Sequence, residues 1–357
     1  MPNSKKPEMG AGEFGLIRGL LDKCRSPVDP KVLGPGDDCS AYPLLEGSQG
    51  YHVHTIDSLI EERHFSLRYF QASDIGWKAV AVSLSDIAAM GAKPLGILLS
   101  LTVRAGLDGE FFQELYRGVE ECCRSYDCYV WGGNTAFGNE LSLASVAIGQ
   151  TDTAPLLRSA AAVGEDIWVS GSLGCSGAGL RILSEQASES GNTVERGEMI
   201  EQAVANHLRP APRVELGWYL RTHGLASSAI DVSDGLLQDA GHLASSSGVG
   251  ICLNESEIPV HKAVADAGQT IAQAITAGED YELLFSAPAS KRSALEELCV
   301  SGVEGTVFPK LSRIGTVEKI NAENHRQRVC LKVGESSYSL EHYLQANGLN
   351  KQGFQHF

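Results

Sequence analysis

Asp74–Met90 reads DIGWKAVAVSLSDIAAM, an alanine-rich run with apolar side chains at helical spacing, and Gly91 and Pro94 end it just before the strand-like run Leu95–Val103. A helix that gives way at once to a strand predicts an α/β architecture. Outward from it, a second helix over Glu110–Tyr126, a strand, the turn Gly132-Gly133-Asn134-Thr135 and the alternating strand Leu141–Gly149 add antiparallel elements. On the other side, Tyr51–Ile56 alternates as a half-buried strand would and delivers Asp57 at its end, after the glycine turn Gly34-Pro35-Gly36-Asp37-Asp38. Glu13–Cys24, with Phe14, Ile17, Leu20 and Leu21 in register, predicts a short amphipathic helix.

After Arg158 the wording changes. Gly164–Gly171 is a turn and a short apolar strand, and Gly174, Gly177 and Gly179 open a helix. A domain boundary is expected near residue 150, since 357 residues exceed the roughly 250–300 at which one core stops growing. Ser184–Gly197 has few apolar anchors and reads as a surface excursion. Ala229–Phe285 then repeats the theme: a strand, the acidic turn Asp231-Val-Ser-Asp-Gly235, a helix over Leu236–Ser246, and Ala277-Gly-Glu-Asp-Tyr-Glu-Leu-Leu-Phe285. No fixed-period repeat is present, so solenoids and propellers are not expected.

The formal net charge of −15 argues against a polyanionic partner, because nucleic acids and anionic membranes demand clustered cations. A small anion held through metal ions stays compatible with it. Nine cysteines, an odd number without a CxxC spacing, fit neither a disulfide framework nor a zinc site and are expected to be reduced thiols. The start, MPNSKKPEMGAGEF, carries no apolar signal core, and no apolar run approaches the roughly 20 residues that span a bilayer, so a cytoplasmic location is expected.

The recurrent chemical feature is an acidic residue beside Gly or Ser at the edge of an apolar segment: Asp37 and Asp38, Asp57, Asp86, Asp231 and Asp234, Glu279 and Asp280. Singly, each reads as a helix cap or turn residue, Asp37 most readily. As a set they exceed what capping requires. If they converge, each pair repels by roughly 4 kcal/mol at 4 Å in an effective dielectric near 20, so cations must hold them, and an all-oxygen donor set selects Mg²⁺ or Mn²⁺. No Walker A loop or protein-kinase signature is present. The glycines at 171, 174, 177 and 179 fit either backbone amides aimed at phosphate or close helix packing. His64 and Arg158 each fit a phosphate contact or an ordinary structural partner, and the charged run Glu114–Arg124 reads as a solvated helix face.

The stretches GEFGLI, GPGDDCS, TIDSLIEERHF, KAVAVSLSDIAAMGAKPLG, WGGNT, LRSAAAVGEDIWVSGSLG, RPAPRVELG, IDVSDGLLQDAGHLASSSGVG, AGEDYELLF and GFQHF together resemble the thiamine-monophosphate kinase family, relatives of aminoimidazole ribonucleotide synthetase and selenophosphate synthetase. That resemblance implies two α/β (α+β) domains: residues 1–150 for ATP and metal binding, their sheet forming a homodimer interface, and residues 151–357 as a mixed-sheet α/β domain. It implies Mg²⁺ on Asp38, Thr55, Asp57, Asp86, Asn134, Asp231 and Asp234, and ATP on Gly133, Asn134, Arg158 and Ser233. His64, Glu279 and Phe354 would hold thiamine monophosphate, with no covalent nucleophile or general base, and Cys39 would be a bystander. Three positions depart from the pattern: Asn134 stands in place of Asp, Ile56 in place of Thr, and Phe137 in place of a common Arg. The first two are expected to weaken one metal position, leaving one fewer tightly held Mg²⁺ or, further along the same line, a catalytically silent ATP-binding module. Selenophosphate synthetase would need a reactive Cys or selenocysteine and the hydrogenase-maturation relative a terminal Cys, and neither is here; aminoimidazole ribonucleotide synthetase stays open on fold, with GEDYELLF and GFQHF against it.

Overall fold

The computed structural model describes residues 21, 31–45, 47, 49–188, 197–301, 307–320, 328–349 and 353. Apart from Leu21, the helix expected over Glu13–Cys24 lies outside them, as do Phe354 and residues 189–196 of the expected surface excursion.

The first sheet is built by β1 (Ser40–Pro43), β2 (Tyr51–Ile60), β3 (Lys93–Val103), β4 (Tyr129–Phe137) and β5 (Ser142–Thr151), in the order β1-β2-β5-β3-β4. Only the β3/β4 pair is parallel. Two helices belong to it, α1 (Ala72–Ala89) and α2 (Gly109–Ser125). α1 begins two residues before its sequence pattern because Asp74 reaches back to accept the Gln71 N–H at 3.3 Å, a cap that extends the first turn. It is buried along nearly its whole length, between the sheet and α2. Two glycines permit that sandwich: a Cβ on Gly76 would lie 1.9 Å from the Leu115 carbonyl oxygen, and one on Gly118 1.8 Å from that of Ser73. On α2 the ion pairs Arg117–Glu114 and Arg124–Glu120 sit on the exposed side, as a solvated face should, while Leu115, Val119, Cys122 and Cys123 are buried.

Two expected boundaries move. β2 runs on to Ile60, so Asp57 lies inside the strand rather than at its end. Gly132–Thr135 is not a turn but the middle of β4, where parallel pairing to β3 supplies partners for the glycine backbone; the register slips once, leaving Trp131 as the extra residue over Gly96.

The second sheet has the order β12-β11-β8-β10-β6-β9-β7. Its strands are β6 (Asp166–Ser170), β7 (Ser228–Asp231), β8 (Gly250–Asn254), β9 (Leu283–Ala287), β10 (Leu311–Glu318), β11 (Val329–Val333) and β12 (Ser336–Ser339). It is mixed, β8/β11 being parallel and the other pairs antiparallel. The helices α3 (Cys175–Ser188), α4 (Glu198–Leu208), α5 (Val214–Thr222) and α6 (Leu236–Ser247) accompany it. α1 is also packed by α5 and β7, so the helix carrying Asp86 is shared between the two sheets.

The expectation that every cysteine is a free thiol is corrected at one pair. β8 and β11 place Cys252 directly beside Cys330, with Cα atoms 4.7 Å apart, and the two form a disulfide across a separation of 78 residues. Such a contact is made by strand register and leaves no trace in local spacing. Cys39, Cys122, Cys123, Cys128 and Cys175 are buried free thiols.

Candidate active site

The strand period of two places Thr55 and Asp57 on the face of β2 that α1 covers, and Asp86 comes down onto them from the last turns of α1. Thr55 Oγ1 hydrogen-bonds Asp86 Oδ2. β7, the edge of the second sheet, ends at Asp231 against the same helix, where Ser85 Oγ donates to Asp231 Oδ2 at 2.7 Å. Asp38 joins from the turn ahead of β1. Asp38, Asp86 and Asp231 thus each offer a carboxylate oxygen within 4.8 Å of the others.

Carboxylates this close, out of water, resist ionisation. Burial, then Asp57, Asp231 and Asp38, push Asp86 well above the usual carboxylate range. Burial and Asp38 push Asp231 up to about 7, against the Ser85 hydrogen bond. Asp37 rises to about 7 through burial and Asp38, although it accepts the Arg158 backbone N–H at 3.1 Å, a contact across 121 residues of sequence. Arg158 itself grips Asp38 with two bonds, Nη2 to Oδ1 at 2.7 Å and Nε to Oδ2 at 3.0 Å.

Next to the cluster is a cleft of about 160 Å³ lined by Asp57, His64, Asp86, Asp231, Ser233, Asp234, Glu279 and Tyr281, among others. Two loops form its far wall. In the first, Asp239 of α6 accepts the N–H groups of Asp234 and Gly235 at 3.2 and 3.0 Å, and Gln238 Nε2 donates to Asp234 at 2.7 Å. The second is Gly278–Glu282, with positive φ at Gly278 (75°), Glu279 (59°) and Tyr281 (51°). Gly278 is obligatory there, because a Cβ would lie 2.6 Å from the Ser233 carbonyl oxygen. The loops are zipped together by Glu279 N–H to Ser233 O and Tyr281 N–H to Val232 O, at 2.8 and 2.9 Å.

Each acid of the second loop has its own partner. Glu279 pairs with Lys78 of α1, Asp280 accepts the Gly174 and Ser176 N–H groups at the start of α3, and Glu282 is gripped by Arg213 and Ser170. Asp280 therefore occupies the amides that the glycine run offered to a phosphate. Packing accounts for the glycines: a Cβ on Gly179 would lie 2.2 Å from Ala203 O of α4, and one on Gly177 2.5 Å from the Ala277 side chain.

Of the residues expected at the site, the structure gathers Asp38, Thr55, Asp57, His64, Asp86, Arg158, Asp231, Ser233, Asp234 and Glu279. His64 also serves locally, its Nδ1 accepting the Ile60 N–H at 3.0 Å. Gly133 and Asn134 are not brought to the cluster within one chain. Asn134 pairs with Ser100, Ser100 with Ala144 and Ala144 with Ser58, so it stands three strand spacings, about 14 Å, from β2. Ile56, on the face of β2 opposite Thr55 and Asp57, is 65% exposed and points away from the cluster, so in one chain Asn134 and Ile56 share no metal position. Gly353, beside Phe354, packs on Asp234, where a Cβ would lie 2.2 Å from the carbonyl oxygen. Sequence reasoning missed Lys78, Ser85, His207, Asp239 and Tyr281; the only signal was a polar residue set inside an apolar helical face, as with Lys78 and Ser85 in α1.

Comparison with known proteins agrees with this geometry. Residues 36–151 match the family described as AIR synthase related protein, N-terminal domain, and residues 162–325 that of its C-terminal domain. The thiamine-monophosphate kinase of Escherichia coli (strain K12) is 36% identical over 295 residues, 81% of this chain and 86% of that protein. That of Bacillus subtilis (strain 168) is 31% identical over 350 residues, 97% of this chain and 99% of the relative. The structure of AaThiL complexed with AMPPCP and TMP superposes with a TM-score of 0.79 at 27% identity, covering 99% of this chain and 100% of that one. The matches run through both sheets and every loop that lines the acidic cleft, and on them the chain belongs to the thiamine-monophosphate kinase family.

Proposed function

We propose that this chain is a thiamine-phosphate kinase, transferring the γ-phosphoryl group of ATP to thiamine monophosphate to give thiamine diphosphate. The observation that carries the reading is the convergence of Asp38, Asp86 and Asp231 at one end of a cleft whose other end holds His64 and Glu279. Relatives named for this reaction, and a neighbour complexed with AMPPCP and TMP, support it.

The donor set fits Mg²⁺. All the clustered groups are hard oxygens, and their raised proton affinities express a repulsion that a divalent cation relieves. Asp38, Thr55, Asp57, Asp86, Asp231 and Asp234 would hold it, and when bound it supplies charge neutralisation to the polyphosphate. Arg158 and Ser233 serve the nucleotide, and His64, Glu279 and Phe354 the acceptor. The attacking group is a phosphate oxygen with a second pKa near 6, largely ionised at neutral pH, so the chain needs no general base. Its task is to bring two anions together in line and to exclude water.

The two halves share the site: residues 1–150 bring Asp38, Thr55, Asp57 and Asp86 to the metal and dimerise, and residues 151–357 add Asp231, Asp234, Arg158 and Ser233 and close the cleft. A homodimer gives Gly133 and Asn134 a role. Strand β4 is exposed along its whole length, and Ile56 and Leu98 stand exposed on the uncovered face of the same sheet. A second copy on that face covers them and carries the partner's Asn134 toward Ile56. No helix among the described residues is long and apolar enough to cross a membrane, which is consistent with action in the cytoplasm.

The test is ADP formation from ATP and Mg²⁺ with and without thiamine monophosphate, with mass detection of the diphosphate. Both products, dependent on the acceptor, are expected. ATP binding without either product would replace this reading with the silent module that Asn134, Ile56 and Phe137 suggest.

A further inference from the structure

Among the described residues one of the largest fully buried side chains is a lysine, and the reaction as proposed makes no use of it. Lys78 lies on the face of α1 that meets the 278–282 loop, with no side-chain exposure. Its Nζ is 2.7 Å from Glu279 Oε1 and donates to the His64 carbonyl oxygen at 3.2 Å, while the Phe70 ring centroid lies 5.3 Å away. Taking an ammonium group out of water costs several kcal/mol unless it is paired and hydrogen-bonded, and both partners here belong to the acceptor end of the cleft.

The other carboxylate oxygen of Glu279 is also engaged. His207 of α4 sets Nδ1 3.6 Å from Oε2 and 2.9 Å from Ser176 Oγ, with Phe70 edge-on to its ring at 5.6 Å. Burial and then Lys78 hold His207 down to about 3, so it meets Glu279 as a neutral imidazole. We infer that Lys78 is a positioning residue for the acceptor: reaching from α1 to the 278–282 loop, it fixes the Glu279 carboxylate at the cleft wall and provides its counter-charge. This rests on the proposed role of Glu279 toward thiamine monophosphate.

Two consequences follow. Glu279 and Lys78 together carry no net charge, so Glu279 recognises its substrate as an oriented hydrogen-bond acceptor rather than as a free negative charge. Lys78 also makes the acceptor wall, on the second sheet, depend on the helix that carries Asp86, so the acceptor end and the metal end share one rigid element. Burial alone would raise the Glu279 carboxyl; Lys78, through its charge and its hydrogen bond, reverses this and holds it below its ordinary value. Tyr69 and Tyr281 also face it, and Asp57 and Asp234 line the same cleft.

The test uses the full-length enzyme with Lys78→Met, Glu279→Gln and the double variant. Lys78→Met is expected to raise KM for thiamine monophosphate at least ten-fold, with KM for ATP changed less than two-fold. Its acceptor KM should fall more steeply than the wild type's as pH rises from 5.5 to 8, because Glu279 without its counter-ion ionises only at higher pH, whereas the wild-type profile carries only the ionisation of the acceptor phosphate and of the aspartate cluster. Glu279→Gln should raise the acceptor KM without acquiring the pH dependence, and the double variant should regain the melting temperature lost in Lys78→Met but not the affinity. An unchanged acceptor KM and pH profile with a lowered melting temperature would reduce Lys78 to a structural ion pair and overturn the inference. If Lys78→Met does not fold, Glu279→Gln decides: an acceptor KM within two-fold of wild type removes the group that Lys78 would position. A wild type that forms no thiamine diphosphate sinks the functional reading instead. The inference is then judged on stability, where Lys78→Met must acquire a pH dependence of melting that the double variant lacks.

Discussion

Two groups of buried carboxylates in this molecule have opposite fates. Asp38, Asp86 and Asp231 face one another, and burial with mutual repulsion holds Asp86 and Asp231 well above the ordinary carboxylate range. Glu279, Asp280 and Glu282 sit within four residues of one loop yet face apart, toward a lysine, a pair of helix-start amides and an arginine. The residue type is the same, so what separates a structural acid from a reactive one is whether the chain supplies the cation. At Glu279–Glu282 it does. At the aspartate cluster, among the described residues, Arg158 grips Asp38, while Asp86 and Asp231 are held by the hydroxyls of Thr55 and Ser85.

Removing a carboxylate from the unbalanced group should therefore hurt the reaction and not the fold. Asp86→Asn is expected to lower thiamine diphosphate formation by about a thousand-fold, some 4 kcal/mol of transition-state stabilisation, with an unchanged or higher melting temperature without Mg²⁺. A variant that loses stability along with activity would break the comparison, because Asp86 would then be a structural acid too.

The balanced group predicts the reverse. Arg213→Met strands Glu282, whose side chain is 4% exposed, and should cost about 3 kcal/mol of stability, read as a lower denaturant midpoint. Adding Glu282→Gln should recover most of that loss. If the double variant is no better than the single one, packing of the Arg213 stem rather than charge accounts for the cost.

Proton linkage gives a third and smaller effect. Asp37 and Asp231 rise from an ordinary 3.8 to about 7 on folding, so the stability they lend is fully present below about pH 4 and is lost as pH rises through about 7. The chelated protein should melt at a lower temperature at pH 8 than at pH 5.5, and Mg²⁺ should raise melting more at pH 8. An equal Mg²⁺ shift at both pH values would mean that the cluster is not where the ion binds.

This contrast also sorts what the sequence could reveal. Asp38, Asp57, Asp86, Asp231 and Asp234 were legible because an acid beside Gly or Ser at the edge of an apolar segment is locally odd, and α1 was legible from its alanine-rich period. Lys78 is one polar letter in DIGWKAVAV, and only its contacts with Glu279 and the His64 carbonyl oxygen give it meaning. His207 acts on a loop distant in sequence, and Cys252 finds Cys330 only through strand register. The glycines of β4 looked like a turn because parallel pairing with β3 is a tertiary fact.

Asn134 carries the smallest effect and bears on the metal side alone. It stands about 14 Å from β2 within one chain, so it reaches a metal only if a second copy carries it there, and Ile56 then offers it no oxygen. Asn134→Asp restores a full charge to that place, and the half-saturating Mg²⁺ concentration should fall a few-fold while kcat at saturating Mg²⁺ moves little. The same change adds one more carboxylate to an already repulsive group, so without Mg²⁺ the variant should melt slightly lower than the wild type. Both shifts should vanish in a variant held monomeric by a charge placed on the open sheet face, such as Leu98→Glu. An Mg²⁺ dependence that Asn134→Asp leaves untouched would return Asn134 to the role of an ordinary edge-strand residue, and the metal set would be complete in the Asp38, Asp86 and Asp231 cluster of each chain.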